Sequence, residues 1–158
     1  MAEKLHPNTV RVIEALRARG AKGEVKVFEE PVRTAAAAAA PLGCDVGAIA
    51  NSLVFDADGA PLLVLTSGAH RVDTGHIARL IGAREVRRAT PEFVREHTGQ
   101  PIGGVAPVGH PAPIRTLVDT WLGKHEVVWA AAGHPNTVFP TTFEELVRIT
   151  GGTPADVE

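Results

Sequence analysis

The chain has 158 residues and a mass of 16.6 kDa, room for one domain of ordinary size. Hydrophobic residues at 44% and charged residues at 22% exclude wholesale disorder, and a formal net charge of −2 excludes a protein that holds nucleic acid mainly through a basic surplus. The single cysteine, Cys44, excludes an intrachain disulfide and a metal cage built on several thiolates.

The N-terminus, Met1 to Pro7, shows no apolar signal-peptide core. No apolar run reaches the ~20 residues that span a bilayer, so the expectation is a soluble, cytoplasmic protein without a membrane partner. Val10, Ile13 and Leu16 recur at helical spacing, which predicts a first helix from Asn8 to Arg19, capped by Asn8 and ended by Gly20. Val25 to Phe28 read as a strand. Thr34 caps a second helix through the alanine run, and Pro41 stops or kinks it. Asp45 caps a short third helix leading into the strand Ser52 to Phe55. A turn at Asp56 to Gly59 returns the chain through Leu62 to Leu65, and the apolar runs in both strands imply burial on both faces.

Asp73 opens a helix that Gly82 closes, and Glu85 to Arg87 form a short strand. Thr90 and Pro91 supply the N-cap and first position of a helix to Thr98, with Gly99 beyond it. Pro101 to Pro113 are rich in Gly and Pro and read as loop. Arg115 to Val118 form a strand, Asp119 to Leu122 one helical turn, Val127 to Ala131 a strand, and Val138-Phe139 a last strand. Thr141 to Glu145 offer a capping box in two registers for a final helix to Ile149, with Gly151 after it. Hairpins mixed with helices predict an α/β chain of the α+β type: one domain over residues 1–158, with a mixed sheet rather than an all-parallel doubly wound one.

The commonest chemical motifs are absent: no dinucleotide fingerprint, no Walker loop, and no nucleophile elbow around Ser52 or Ser67. Ser52 reads as a strand residue. Seven histidines invite a metal reading, but no helix carries a pair four apart; His110 and His134, in matching Gly-His-Pro tripeptides, would have to meet in space. The informative stretch is Gly103-Gly104-Val105-Ala106-Pro107-Val108-Gly109. Its glycines allow positive φ and close approach by another molecule, and amides in such a loop can bind an oxyanion or hold a water without a catalytic side chain. The plainer alternative is a tight surface crossover. A second Gly-rich turn, Ala131 to Pro135, can present His134 at a pocket mouth or leave it as a surface histidine.

Four segments in series resemble the YbaK family of bacterial editing domains, also found inserted in prolyl-tRNA synthetases. They are Ile49 to Phe55; Ala78 to Val86 leading through Thr98-Gly99; Ile102 to Gly109 followed by Leu117-Val118-Asp119; and Ala132-Gly133-His134 followed by Phe143 to Val147. The resemblance implies a curved mixed sheet of about six or seven strands flanked by helices. It also implies hydrolysis of the ester joining a wrong amino acid to tRNA, with no metal and no cofactor. In the family the loop matching Gly103 to Pro107 lies against the aminoacyl ester and orients carbonyl and water, assisted by a ribose hydroxyl. By this resemblance Asn51, Gly103, Gly104 and Pro107 fall at catalytic positions. Phe28, Pro31, Thr34, Val105, Ala106, Gly109, Gly133 and His134 fall at substrate-binding ones. Two positions depart from the family pattern: Asn51 stands where a Lys is usual, and Ala106 where many members have Ser.

The expected function is therefore a trans-editing deacylase for a tRNA misacylated with a small amino acid (Ala, Cys, Ser or Thr, for example on tRNA-Pro). Its partners would be the aminoacylated 3′ end of tRNA, bound weakly, and an aminoacyl-tRNA synthetase. The alternative is a catalytically weak binding module of the same fold that recognises aminoacyl-adenosine or a synthetase, and a third reading is a small esterase for free aminoacyl esters.

Overall fold

The computed structural model describes residues 5–32 and 34–158, so the expectation for Met1 to Lys4 lies outside the described residues. Eight strands form one mixed sheet. The elements in chain order are α1 (Pro7–Ala18), β1 (Lys26–Val27), α2 (Ala35–Leu42), a 3-10 turn (Val46–Ala48), β2 (Ile49–Ala57), β3 (Ala60–Ser67), α3 (Thr74–Ile81) and β4 (Val86–Arg88). There follow α4 (Pro91–Thr98), β5 (Arg115–Asp119), a 3-10 helix (Thr120–Lys124), β6 (Val128–Ala131), β7 (Thr137–Thr141), α5 (Phe143–Thr150) and β8 (Thr153–Ala155). The spatial order is β1-β7-β6-β2-β3-β5-β8, with β4 also pairing β2.

The expectation is about six or seven strands, and the described residues form eight. The strand not anticipated, β8, is three residues long, contains Pro154, and pairs in parallel with the far edge of β5. A short proline-bearing edge strand has no alternation to betray it. The first helix is also capped differently from the expectation. Pro7 takes its first position, and His6 is the cap, its Nδ1 accepting from the Asn8 amide at 3.1 Å. Pro41 does not stop α2, which runs one residue further and ends at Gly43 in the left-handed conformation. Asp45 precedes only a 3-10 turn and makes no side-chain cap. The caps at Thr34, Asp73 and Thr90 stand as read, and Thr142 takes the cap of the last helix.

The hairpin β2–β3 runs antiparallel from Ala50↔Ser67 to Ala57↔Ala60. Leu62, Leu63, Val64 and Leu65 are all at or below 1% exposure, so β3 is buried on both faces. Leu63 and Leu65 join the larger core, with Val12 and Leu16 of α1, Val94 of α4 and Leu146 and Ile149 of α5. Leu62 and Val64 face a second core with Ile77 and Ala78 of α3, Val86 and Val157. A smaller cluster sets Ala38 and Ala39 of α2 against Ile49. These layers fix β2 as a central strand that is paired along one side only in part. On that side β6 pairs in parallel at Ile49 and Ala50, and β4 pairs antiparallel at Phe55 to Ala57. Between them, at residues 51–54, no strand covers β2 among the described residues.

Candidate active site in the gap beside β2

This gap in the sheet is where the cavities lie. An inner compartment of about 40 Å³ is bounded by Val32, Thr34, Ala35, Ala38, Ile49, Ala50, Asn51, Ser52, Gly103, Val105, Trp129 to Ala131, Pro135, Thr137 and Val138. An outer compartment of about 540 Å³ continues along β2, bounded by Asn51 to Phe55, Arg88, Ala89, Val94 and Ile102. Thr34, Ala35, Asn51, Ser52, Gly103 and Val105 line both, so the two form one cleft with a narrow end and a wide end. Among the described residues the narrow end carries no charge, and Arg88 is the one charged residue of the wide end.

Each wall has a local cause. Alternation along β2 puts Ala50, Ser52 and Val54 on the face of the larger core, and Ile49, Asn51 and Leu53 on the other. Thr34 arrives because the chain before it is tied to the β6–β7 turn: the Phe28 amide donates to Asn136 O and the Val32 amide to Pro135 O, both at 2.7 Å. Thr34 Oγ1 then caps α2 by accepting from the Ala37 amide at 3.1 Å.

The loop from Pro101 to Gly109 forms the remaining wall, and the buried Gln100 organises it. Gln100 Oε1 accepts from the Ala106 amide at 2.6 Å, and its Nε2 donates to Val108 O at 3.3 Å. His110 donates from Nε2 to Ala106 O at 2.8 Å. The Gly104 amide donates to Pro101 O at 3.0 Å. The amides of Gly104 and Ala106 are thus engaged inside the loop and are not free to bind the oxyanion or water expected of them. Gly103, at φ +87°, and Val105 are the loop residues that border both ends of the cleft, and Ile102 borders the wide end. Gly104 serves a close approach instead: a Cβ there would lie 2.8 Å from the carbonyl carbon of His134, which welds the loop to the second glycine turn.

Of the residues singled out from sequence, Asn51, Gly103, Thr34 and Val105 border the cleft together. Gly104 and Ala106 lie buried just behind that wall. Pro107 and Gly109 border a separate cavity of about 180 Å³ with His110 and Ile149. Gly133 is buried against Asn8 and Val12 of α1. Phe28 and Pro31 lie in the approach segment and are not among the cleft walls, although Val32 beside them is. His134 flanks the cleft through its neighbour Pro135. Its Nδ1 is hydrogen-bonded to Asn136 Oδ1 at 2.6 Å, and its ring lies 4.8 Å from that of His6. Burial, then the neighbouring His134 and Arg11, hold the His6 pKa below the ordinary histidine value. Sequence reading missed Gln100, Trp129 and Ser52. Ser52 had a visible signal, since it extends the polar break begun by Asn51 in an otherwise apolar strand. Among the described residues no group of three or more His, Cys, Asp and Glu is gathered as a metal site would require.

Comparison with known proteins places the chain in a family and matches its fold. The family profile described as an aminoacyl-tRNA editing domain matches residues 29–149. The uncharacterised protein YwhH of Bacillus subtilis (strain 168) is 30% identical over 126 residues, covering 79% of this chain and 80% of that protein. A proline–tRNA ligase of Nitratidesulfovibrio vulgaris (Hildenborough) is 35% identical over 88 residues, covering 56% of this chain but only 15% of the ligase. A crystal structure of a proposed trans-editing enzyme for prolyl tRNA synthetase superposes with a TM-score of 0.92 at 43% identity, covering 98% of this chain and 99% of the other.

Proposed function

Because the chain belongs to the aminoacyl-tRNA editing domain family, we propose that it is a trans-editing deacylase. On this reading it hydrolyses the ester of a tRNA carrying a wrong, small amino acid, with Ala, Cys, Ser and Thr on tRNA-Pro as the candidates. The observation that carries the reading is the shape of the cleft. Its narrow end, at about 40 Å³, exceeds the ~10–15 Å³ that admits one water, so it suits a small side chain and not a large one. Its wide end, more than ten times larger, suits the terminal nucleoside, with Arg88 on its wall for a phosphate. The scissile ester then falls at the residues common to both ends.

In the mechanism we propose, Asn51 donates a hydrogen bond from its side-chain amide to the ester carbonyl. The Gly103–Val105 wall holds the ester against β2. The apolar residues of the narrow end exclude bulk water, which strengthens these contacts as charge develops on the carbonyl oxygen. The attacking water is activated by the vicinal ribose hydroxyl of the substrate, and no metal or cofactor enters. Specificity follows from size: a methylene that does not fit costs ~1–3 kcal/mol of transition-state binding.

Asn51 also favours a second reading, a binding module with weak turnover, because it brings no cation to the ester. Incubation with a panel of mischarged tRNAs, at enzyme concentrations near those of tRNA, separates the two. The deacylase reading expects one or more small aminoacyl esters to be lost faster than in buffer. Buffer-level loss throughout leaves the binding module. Asn51→Lys adds a direct comparison, since a large gain in rate marks the natural residue as a handicap and a large loss marks it as part of the site.

A further inference from the structure

The geometry points to Ser52 as the residue that recognises the α-amino group of the aminoacyl ester, an inference that rests on the deacylase reading and deepens it. Three observations converge on this residue. First, Ser52 lies in the uncovered stretch of β2 and borders both ends of the cleft. Second, its main chain faces the gap. The Gly68 amide donates to Ile49 O on the β3 side, so odd-numbered residues of β2 direct their main-chain groups toward β3. The Asp58 amide donates to Glu85 O on the opposite side, in keeping with the even set pointing away from β3. The N–H and C=O of Ser52 therefore point to the side where no strand pairs with it. Third, Ser52 Oγ is shielded from solvent and has no hydrogen-bond partner among the described residues.

A buried hydroxyl without a partner lowers stability, and an alanine would fill the position without that penalty. The missing partner is supplied if the ligand brings it. The chemistry selects the amino group over the ester carbonyl. An α-ammonium needs acceptors, and the described walls of the narrow end hold no carboxylate to pair with it. Ser52 offers two acceptor oxygens on one residue, its main-chain O and, after rotation about its Cα–Cβ bond, its Oγ. The side-chain amide of Asn51, on the neighbouring position, remains for the carbonyl.

The test pairs a substrate change with a residue change. Alanyl-tRNA and its deaminated counterpart lactyl-tRNA differ only in the α-substituent, and Ser52→Ala removes only the hydroxyl. Ser52→Ala is expected to lose about tenfold or more in kcat/KM on alanyl-tRNA, mostly through KM, and less than threefold on lactyl-tRNA. Ser52→Thr, which keeps the hydroxyl, is expected to restore much of the difference. The melting temperature of Ser52→Ala is expected to equal or exceed that of the natural chain, the opposite of what a structural hydroxyl would give. Equal loss on both substrates, no loss, or a lowered melting temperature overturns the assignment while leaving the deacylase reading intact. Binding of non-hydrolysable 3′-alanylamido- and 3′-lactylamido-adenosine, read from tryptophan fluorescence through Trp129, keeps the two claims apart. If the natural chain hydrolyses no aminoacyl-tRNA yet binds the amino analogue about tenfold more tightly, with the preference lost in Ser52→Ala, the deacylase reading fails and the Ser52 assignment stands. If it binds both analogues equally or neither, the Ser52 assignment fails.

Discussion

Gln100 shows how one buried side chain sets the position of a wall that it does not form. Its amide group bridges the Ala106 amide and the Val108 carbonyl across the loop, and Gln100 itself is 3% exposed. In Gln100→Met, a change of similar volume, both main-chain groups lose their partner in a region water does not reach. Each such loss costs ~1–3 kcal/mol. The expected result is a chemical-denaturation midpoint lowered by an amount equivalent to about 2 kcal/mol or more, together with reduced deacylation. An unchanged midpoint would show that the loop holds its path without Gln100.

His110 makes the same loop sensitive to pH. Burial pushes its pKa below the ordinary value of 6.5, partly offset by the hydrogen bond to Ala106 O. The unfolded chain therefore binds a proton more readily than the folded one just below that pH. Stability from this group is complete above 6.5 and is lost as pH falls through the depressed folded value. Melting temperatures measured from pH 7.5 to 5 should fall less steeply in His110→Gln than in the natural chain. Parallel curves would remove His110 from the account.

Among the elements, α2 matters most to the cleft because its first turn is also a cleft wall. Thr34 closes the helix through Oγ1 and borders both ends of the cavity. Thr34→Ala removes the cap at a cost of ~1 kcal/mol. It should also raise KM, whereas Thr34→Ser should preserve both stability and KM; steady-state kinetics with thermal melts on the pair checks this. Element boundaries were largely legible in the sequence, because caps are local chemistry: Thr34, Asp73, Thr90 and the glycines at 82, 99 and 151 mark helix ends in the structure as they do in the sequence. The gap beside β2 was not legible. It arises from where β6 and β4 stop, and no residue of β2 encodes the length of its neighbours. The same reason explains the site. Asn51, Thr34, Gly103 and Val105 were named from sequence and meet at the cleft, while Pro107 and Gly109, adjacent in the same motif, lie on another cavity. Proximity in a motif does not say which side of the loop a residue serves.

At the scale of the whole molecule, a charge of −2 leaves little general attraction for a polyanion. Arg87 is shared between Asp56 and Glu85 at 3.5 and 4.0 Å, whereas Arg88 borders the wide end of the cleft. Affinity for uncharged, bare tRNA at physiological salt should therefore be weak and should fall further as salt is raised. A gel shift or filter-binding titration showing tight, salt-insensitive binding would contradict this.

The central claim is that a small aminoacyl group is hydrolysed with its side chain in the narrow end of the cleft. The most direct measurement is the deacylation rate of a single tRNA charged in turn with Ala, Ser, Cys, Thr, Val and Pro. The account predicts the fastest hydrolysis for Ala and a decline as side-chain volume grows, with Val and Pro near the buffer rate. Rates that match buffer throughout, or that rise with side-chain size, would contradict it.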